Sequence, residues 1–214
     1  MSKYGYIGPD SAIPTQAIKS NAGVLTPKEH KDLVIDEKIF QAGQLEFIET
    51  ISASGDSTIA FTSLGDYDIH FLTYNDLYNS NDSKGFALRL YESGVLETGS
   101  VYVKAHQDRR GDGSTAESRS TGTGQWQFTC NTAVGTHARS RTGGYFYFYN
   151  LRDSSQYSYA TDLSTGVNNS NNFDTRAGSW CFKQTSYVDG IQVLAYDAGN
   201  MTGTFSLYGI KVYR

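Results

Sequence analysis

Four histidines, His30, His70, His106 and His137, are scattered along the 214 residues, and no Gly-x-Ser-x-Gly elbow accompanies them. Each reads as a surface or satisfied strand histidine rather than a catalytic base. Neither cysteine, Cys130 or Cys181, has a second ligand at metal-binding spacing, so no metal or other cofactor is expected. Glycoside hydrolysis needs two carboxylates ~5–10 Å apart. Asp66 with Asp68, Glu46 with Glu49, and Asp108 with Asp112 are formal candidates, but a chain with 22 acids supplies such pairs by chance. Arg110-Gly111-Asp112 spells a receptor-recognised tripeptide, yet within Asp108–Gly113 it reads as a glycine turn closing a polar loop. No enzyme activity is expected.

Two groups remain with binding chemistry. His137, Arg139 and Arg141 alternate, which places three cations on one strand face, with Arg109, Arg110 and Arg119 as additions. Such a face suits acidic polysaccharide or phosphate, or is simply solvated. The run Tyr145-Phe146-Tyr147-Phe148-Tyr149 puts aromatics on both faces of its strand. Phe inward and Tyr outward is the natural assignment, because a phenol keeps its hydroxyl in water. Tyr145, Tyr147 and Tyr149 would then form a platform for sugar rings or a subunit contact, with core burial as the bland alternative. Tyr157 and Tyr159, in the long stretch that follows, join them as candidates.

The elements that must hold these residues begin near residue 40. All three prolines (Pro9, Pro14, Pro27) and five of the nine lysines precede it, but only two of the 29 aromatic residues do, Tyr4 and Tyr6. That contrast predicts an extended arm over 1–43 and a β domain over 44–214. A segment so polar does not fold alone and needs a partner to order it. One short helix is expected in it, with Thr26 as N-cap, Pro27 at the first helical position, Glu29 completing a capping box, and Leu33 and Val34 as a small apolar face.

From Gln44 onward the apolar period is two. Phe47, Ile51 and Ala53 mark the first strand and Thr58–Thr62 the second. Tyr67, Ile69 and Phe71 make one face of the third, opposite Asp68 and His70. Phe86, Leu88 and Leu90 follow, then Val101, Val103 and Ala105 opposite Tyr102 and Lys104, then Trp126, Phe128 and Cys130. The run 144–149, residues 190–196 and residues 204–212 complete the strong signals, with Gly209 marking a bulge and 179–183 a weaker strand. Stretches 107–124 and 152–178 read as long loops, of the kind that are functional or disordered. About eight to ten such strands predict an all-β, jelly-roll-like antiparallel sandwich, with a barrel as the alternative.

Composition excludes several classes. No apolar run approaches the ~18 residues a membrane helix needs, so no membrane insertion is expected. The net charge of −4 gives no electrostatic reason to expect nucleic acid. Met1–Tyr6 has no apolar leader core, which implies synthesis in a cytoplasm, where Cys130 and Cys181 read as buried thiols rather than a disulfide.

The closing stretch is the most distinctive: Asp189-Gly190-Ile191-Gln192-Val193, then Gly199-Asn200-Met201-Thr202-Gly203-Thr204-Phe205-Ser206-Leu207-Tyr208-Gly209-Ile210-Lys211. It resembles the last hairpin of many bacteriophage virion appendage proteins, in which a Gly-Asn turn leads into a GTF-LYG-K strand. Tyr67–Leu72 and Leu88-Arg89-Leu90 look like the paired inner strands of the same domains. Tyr4–Gly8 and Ser20–Leu25 are similar to N-termini of small structural proteins from phages of marine bacteria. The resemblance covers about a third of the chain and implies a virion component with a jelly-roll module.

The expected protein is a phage structural protein found in the virion and made in the host cytoplasm. Its arm, docked through Tyr4, Tyr6, Ile7, Leu25 and Leu33, would attach to other virion proteins. Its β domain, in a homotrimer, would contact host surface polysaccharide as a tail fibre or tail-tip adhesin. A capsid decoration or head-fibre protein and a polysaccharide-degrading tailspike are the alternatives.

Overall fold

The computed structural model describes residues 27–28, 31–32, 45–128, 136, 140–168 and 171–210. The chain divides into two compact units, Met1–Ala42 and Gly43–Arg214. In the first, Pro27, Lys28, Lys31 and Asp32 are helical, and Lys28 Nζ lies 2.7 Å from the Asp32 carboxylate one turn on. The expected short helix falls on these residues, while its Thr26, Glu29, Leu33 and Val34 lie outside the described residues. Tyr4, Tyr6, Ile7, Leu25 and Leu33, and the extended arm built on them, lie outside the described residues.

Among the described residues of the second unit, antiparallel strands joined by turns make up the structure. Its strands are β1 (Leu45–Asp56), β2 (Thr58–Phe61), β3 (Ile69–Asn79), β4 (Gly85–Glu92), β5 (Val95–Leu96), β6 (Tyr102–Arg110) and β7 (Thr115–Thr123). They continue with β8 (Trp126–Gln127), β9 (Thr142–Tyr149), β10 (Ser158–Val167), β11 (Phe173–Phe182), β12 (Val188–Tyr196) and β13 (Met201–Ile210). The first strand pairs with the last, β2 with β12, β3 with β9, and β4 with β8. Eight strands therefore form one long antiparallel ribbon, which folds over itself so that β13 also meets β3 and β12 also meets β4. A ribbon wound in this way is a jelly roll, the expected fold class.

Two insertions set the shape of the site. Strands β5 to β7 interrupt the ribbon between β4 and β8, and the β10–β11 hairpin interrupts it between β9 and β12. Both add to the free edge of β9, giving the order β1-β13-β3-β9-β10-β11-β6-β7 against a smaller sheet β2-β12-β4-β5. One sheet thus has eight strands and the other five, counting β8 beside β4.

Aromatic rings fill the space between the sheets. Trp126, Phe61, Phe86, Phe128, Phe146, Phe148, Phe182 and Phe205 are fully buried. Trp126 lies 5.5 Å from Tyr102, 6.0 Å from Trp180 and 6.4 Å from Phe148 between ring centroids. Each such pair adds about 0.5–1.5 kcal/mol beyond the area it buries.

Several expectations need correction. Residues 107–124 and 152–178 are mainly strands, not loops: they hold the β6–β7 and β10–β11 hairpins. Their Ser, Thr, Asp and Arg residues alternate across a sheet polar on its inward side too, so apolar periodicity is missing there. Two faces are also reversed. In β3 the core takes His70, Leu72 and Tyr74, while Ile69 and Phe71 are turned outward and half-buried. In β6 it takes Tyr102 and His106, leaving Val103 half-buried and Ala105 exposed. Gly209 is not a bulge, since Phe205, Leu207 and Gly209 all stay on the buried face. A Cβ there would stand 2.2 Å from the Tyr67 ring, so glycine is what lets that ring lie against β13.

Candidate functional site

The outward side of the eight-stranded sheet gathers a second set of aromatic residues, apart from those of the core. In β9, Phe146 and Phe148 are fully buried and Tyr145, Tyr147 and Tyr149 are half-buried on the opposite side, as phenol chemistry predicts. Strand register carries the row on: Phe47 pairs with Tyr208, Tyr208 with Phe71 and Phe71 with Tyr147. The ring centroids of Phe71 and Tyr147 are 4.6 Å apart, those of Phe47 and Tyr208 5.9 Å, and those of Tyr145 and Tyr147 5.7 Å. A second row passes through Leu45, Ile210, Ile69, Tyr149 and Tyr159 by the same pairings. Phe47 is 63% exposed and Leu45 47%, well beyond what a core strand leaves in water. Contiguous exposed apolar surface is the kind of feature from which contact sites are made.

Past β10 the same face changes character. Register carries Tyr147 to Thr161, Ser179, Ala105 and Arg119, and Tyr145 to Leu163, Ala177, Gln107 and Glu117. Ala105, Ala177 and Ser179 are small and exposed. They leave a trough of about 630 Å³ across β11, β6 and β7, with Gln107, Glu117 and Arg119 as its polar side. Gln107 Nε2 donates to Glu117 Oε1 at 3.4 Å, and Arg109 Nη2 to Gln107 Oε1 at 3.5 Å.

Of the residues expected to bind, Tyr145, Tyr147, Tyr149 and Tyr159 are brought together, with Tyr149 directly opposite Tyr159. Tyr157 is exposed just before β10. Arg141 is committed elsewhere: its guanidinium carbon lies 3.6 Å from the Tyr78 ring centroid, and Nε is 3.5 Å from Asp76. Arg139, His137 and Cys130 lie outside the described residues. Cys181 is a half-buried free thiol, and burial pushes its pKa up.

Two of the three acid pairs separate, and Asp66 and Asp68 stay together. Glu46 accepts from the Tyr67 hydroxyl at 2.9 Å while Glu49 is exposed. Asp108 is buried beside Arg176, whereas Asp112 is exposed and accepts from Ser114 N in the β6–β7 turn. Asp66 and Asp68 line a polar hollow with Asn150, Arg152 and Asp153. Arg110-Gly111-Asp112 closes the β6–β7 hairpin, where Gly111 N donates to Phe173 O at 2.6 Å, so the turn reading holds. Among the described residues no group of three or more His, Cys, Asp or Glu is placed to hold a metal ion.

A buried polar cluster lies behind the trough, on the inward side of the inserted strands. Arg176 Nε is 3.7 Å from Asp108, and both side chains are nearly inaccessible. The Arg176 guanidinium also donates to the His106 ring. Burial, then the Arg176 and Lys104 charges, lowers the His106 pKa to about 3, so the ring is neutral. Asp162 accepts from Trp180 Nε1 at 2.5 Å. Burial raises its pKa to about 7 against that hydrogen bond and the Arg176 charge. Buried charges persist only when paired or neutralised, and both devices are used here. Asp162, Asp174 and Arg176 look like ordinary loop residues in the sequence. The one usable signal was the alternation of Asp162 and Ser164 with Thr161 and Leu163, read backwards because the polar members face in.

No protein-family model matches the chain, and none of the curated proteins matches it either.

Proposed function

We propose that this chain is a phage virion structural protein that attaches through its N-terminal segment and displays the β-sandwich for host-surface recognition, as a tail-fibre or tail-tip adhesin does. The observation that carries the reading is the outward aromatic face of the eight-stranded sheet, from Phe47 through Tyr208 and Phe71 to Tyr147. A broad, half-exposed face of rings bordered by hydroxyl side chains is built for contact over an area. Repetition of the face in a homotrimer would raise weak contacts to useful avidity.

A second reading, a capsid decoration or head-fibre protein, draws on the β1 end of that face. There Leu45, Phe47, Ile69 and Ile210 are apolar neighbours across β1, β13 and β3, which suits a neighbouring subunit better than a glycan.

Particles assembled with protein lacking residues 1–43 test the attachment half. The truncated chain should fold yet be absent from purified virions, and normal incorporation would refute attachment. Full-length protein with Phe71→Ala and Tyr147→Ala tests the display half, through adsorption of particles to host cells. A drop in adsorption with unchanged incorporation supports the adhesin, whereas fragile particles with normal adsorption favour decoration.

A further inference from the structure

We propose that the trough across β11, β6 and β7 is a subsite for an anionic polysaccharide whose charge is a carboxylate, such as a uronate-containing chain. This rests on the host-recognition reading above and names its ligand. Shape comes first. Outward positions on neighbouring strands carry Ala177, Ser179 and Ala105, and the missing side-chain volume opens a channel on the same face as the ring rows. Tyr145 and Tyr147 stand in the same two cross-strand rows as the trough, one strand away across Leu163 and Thr161 of β10. Strands lie ~4.8 Å apart, so the path from β9 to β7 is about 19 Å long, enough for several sugar rings.

Chemistry comes next. Tyrosine rings offer flat faces to the C–H side of a pyranose, and the planar ends of Gln107 and Glu117 offer paired hydrogen bonds to neighbouring hydroxyls. Charge selects the anion. The outward side of β6 and β7 carries Arg109 and Arg119 against Glu117 alone, in a protein whose net charge is −4. The Arg119 side chain has no hydrogen-bond or ion-pair partner among the described residues. A guanidinium so placed binds a carboxylate through two parallel hydrogen bonds.

Behind the trough the floor is fixed. Gly178 lies beneath it, and a Cβ there would meet Asp162 Oδ1 at 2.1 Å, so Asp162 and Trp180 close over this strand from the inward side.

The test uses the full-length protein in affinity electrophoresis against polygalacturonate, dextran sulfate and neutral dextran. Wild type should be retarded by polygalacturonate, less so as salt rises, and not by dextran. Arg119→Gln should weaken retardation at least about tenfold, and Ala177→Trp, which fills the trough from an exposed position, should abolish it. Circular dichroism and melting of both variants report whether the fold is kept. Wild type that ignores polygalacturonate, or variants that bind it as wild type does, would overturn the assignment. So would dextran sulfate binding that is stronger and indifferent to Ala177→Trp, since that is mere cation attraction. Should the trough variants be silent while Tyr147→Ala still lowers host adsorption, the subsite falls and the adhesin stands. If neither the trough nor the platform variants alter adsorption, both fall.

Discussion

Asp162 lies over Gly178, its register partner with no side chain, and takes its hydrogen bond from Trp180. Its pKa, raised to about 7 mainly by burial, makes stability depend on pH. The folded protein keeps a proton on Asp162 that the unfolded chain, near the ordinary carboxylate value, releases. Stability from this group is therefore full below about pH 4, declines as pH rises towards 7, and levels off above it. Asp162→Asn keeps an acceptor for Trp180 and removes the titration. Its stability relative to wild type should be near constant below pH 4 and rise between pH 4 and 7, by a few kcal/mol, in urea melts across that range. A flat difference would show that Asp162 binds its proton in the folded protein as it does in the unfolded chain. His70 and His106 act in the opposite sense, because burial lowers their pKa values to about 4 and about 3. The unfolded chain takes up those protons first, so their contribution is complete above pH 6.5 and is lost as pH falls towards 3–4. Gly209 gives a steric counterpart. Gly209→Ala should cost about 1–3 kcal/mol, and the cost should shrink in a Tyr67→Ala background, since that ring is what the new methyl meets.

Among the elements, β6 shows how an inserted strand is fastened to the jelly roll. The Tyr102 hydroxyl accepts from Leu90 N in β4 and donates to Glu97 O after β5, both at 2.9 Å. One phenol thus bridges the two sheets and caps the insertion. Tyr102→Phe leaves a buried N–H without its acceptor and should destabilise by about 1–3 kcal/mol in chemical denaturation. A change below a few tenths would mean that water or another carbonyl replaces the hydroxyl. The strands that pack Phe, Leu, Ile and Val between the two sheets, β4, β9, β12 and β13, were legible from alternation alone. Strands β7, β10 and the first part of β11 were not, because polar residues occupy both of their faces; the weak signal at 179–183 marked only the end of β11, where Trp180 and Phe182 are buried. β3 and β6 were legible as strands but not in orientation. Ile69, Phe71 and Val103 are as apolar as a core face, and only the position of the second sheet decides which side is buried.

For the whole molecule, the ribbon closes only when the last strand reaches the first. β13 lies between β1 and β3 and supplies the buried Met201, Phe205 and Leu207. Protein ending at residue 200 should therefore show no cooperative melt by circular dichroism, and a sharp two-state transition would contradict this. The platform and trough arise at the same scale. Tyr145 and Tyr147 could be placed outward from their own strand, yet their neighbours Phe71 and Tyr208 come from strands about 75 residues before and 60 after. Gln107, Glu117 and Arg119 reach the same face because two separate insertions both extend one edge, β9. By itself the sequence determined the β class, the strong strands and the side each phenol prefers, since these follow from local alternation and side-chain solvation. Which apolar face is buried, which polar residues lie inside, and which distant side chains share a surface were decided only by tertiary structure. Strand pairing joins segments far apart in the chain, and burial is a property of what lies opposite.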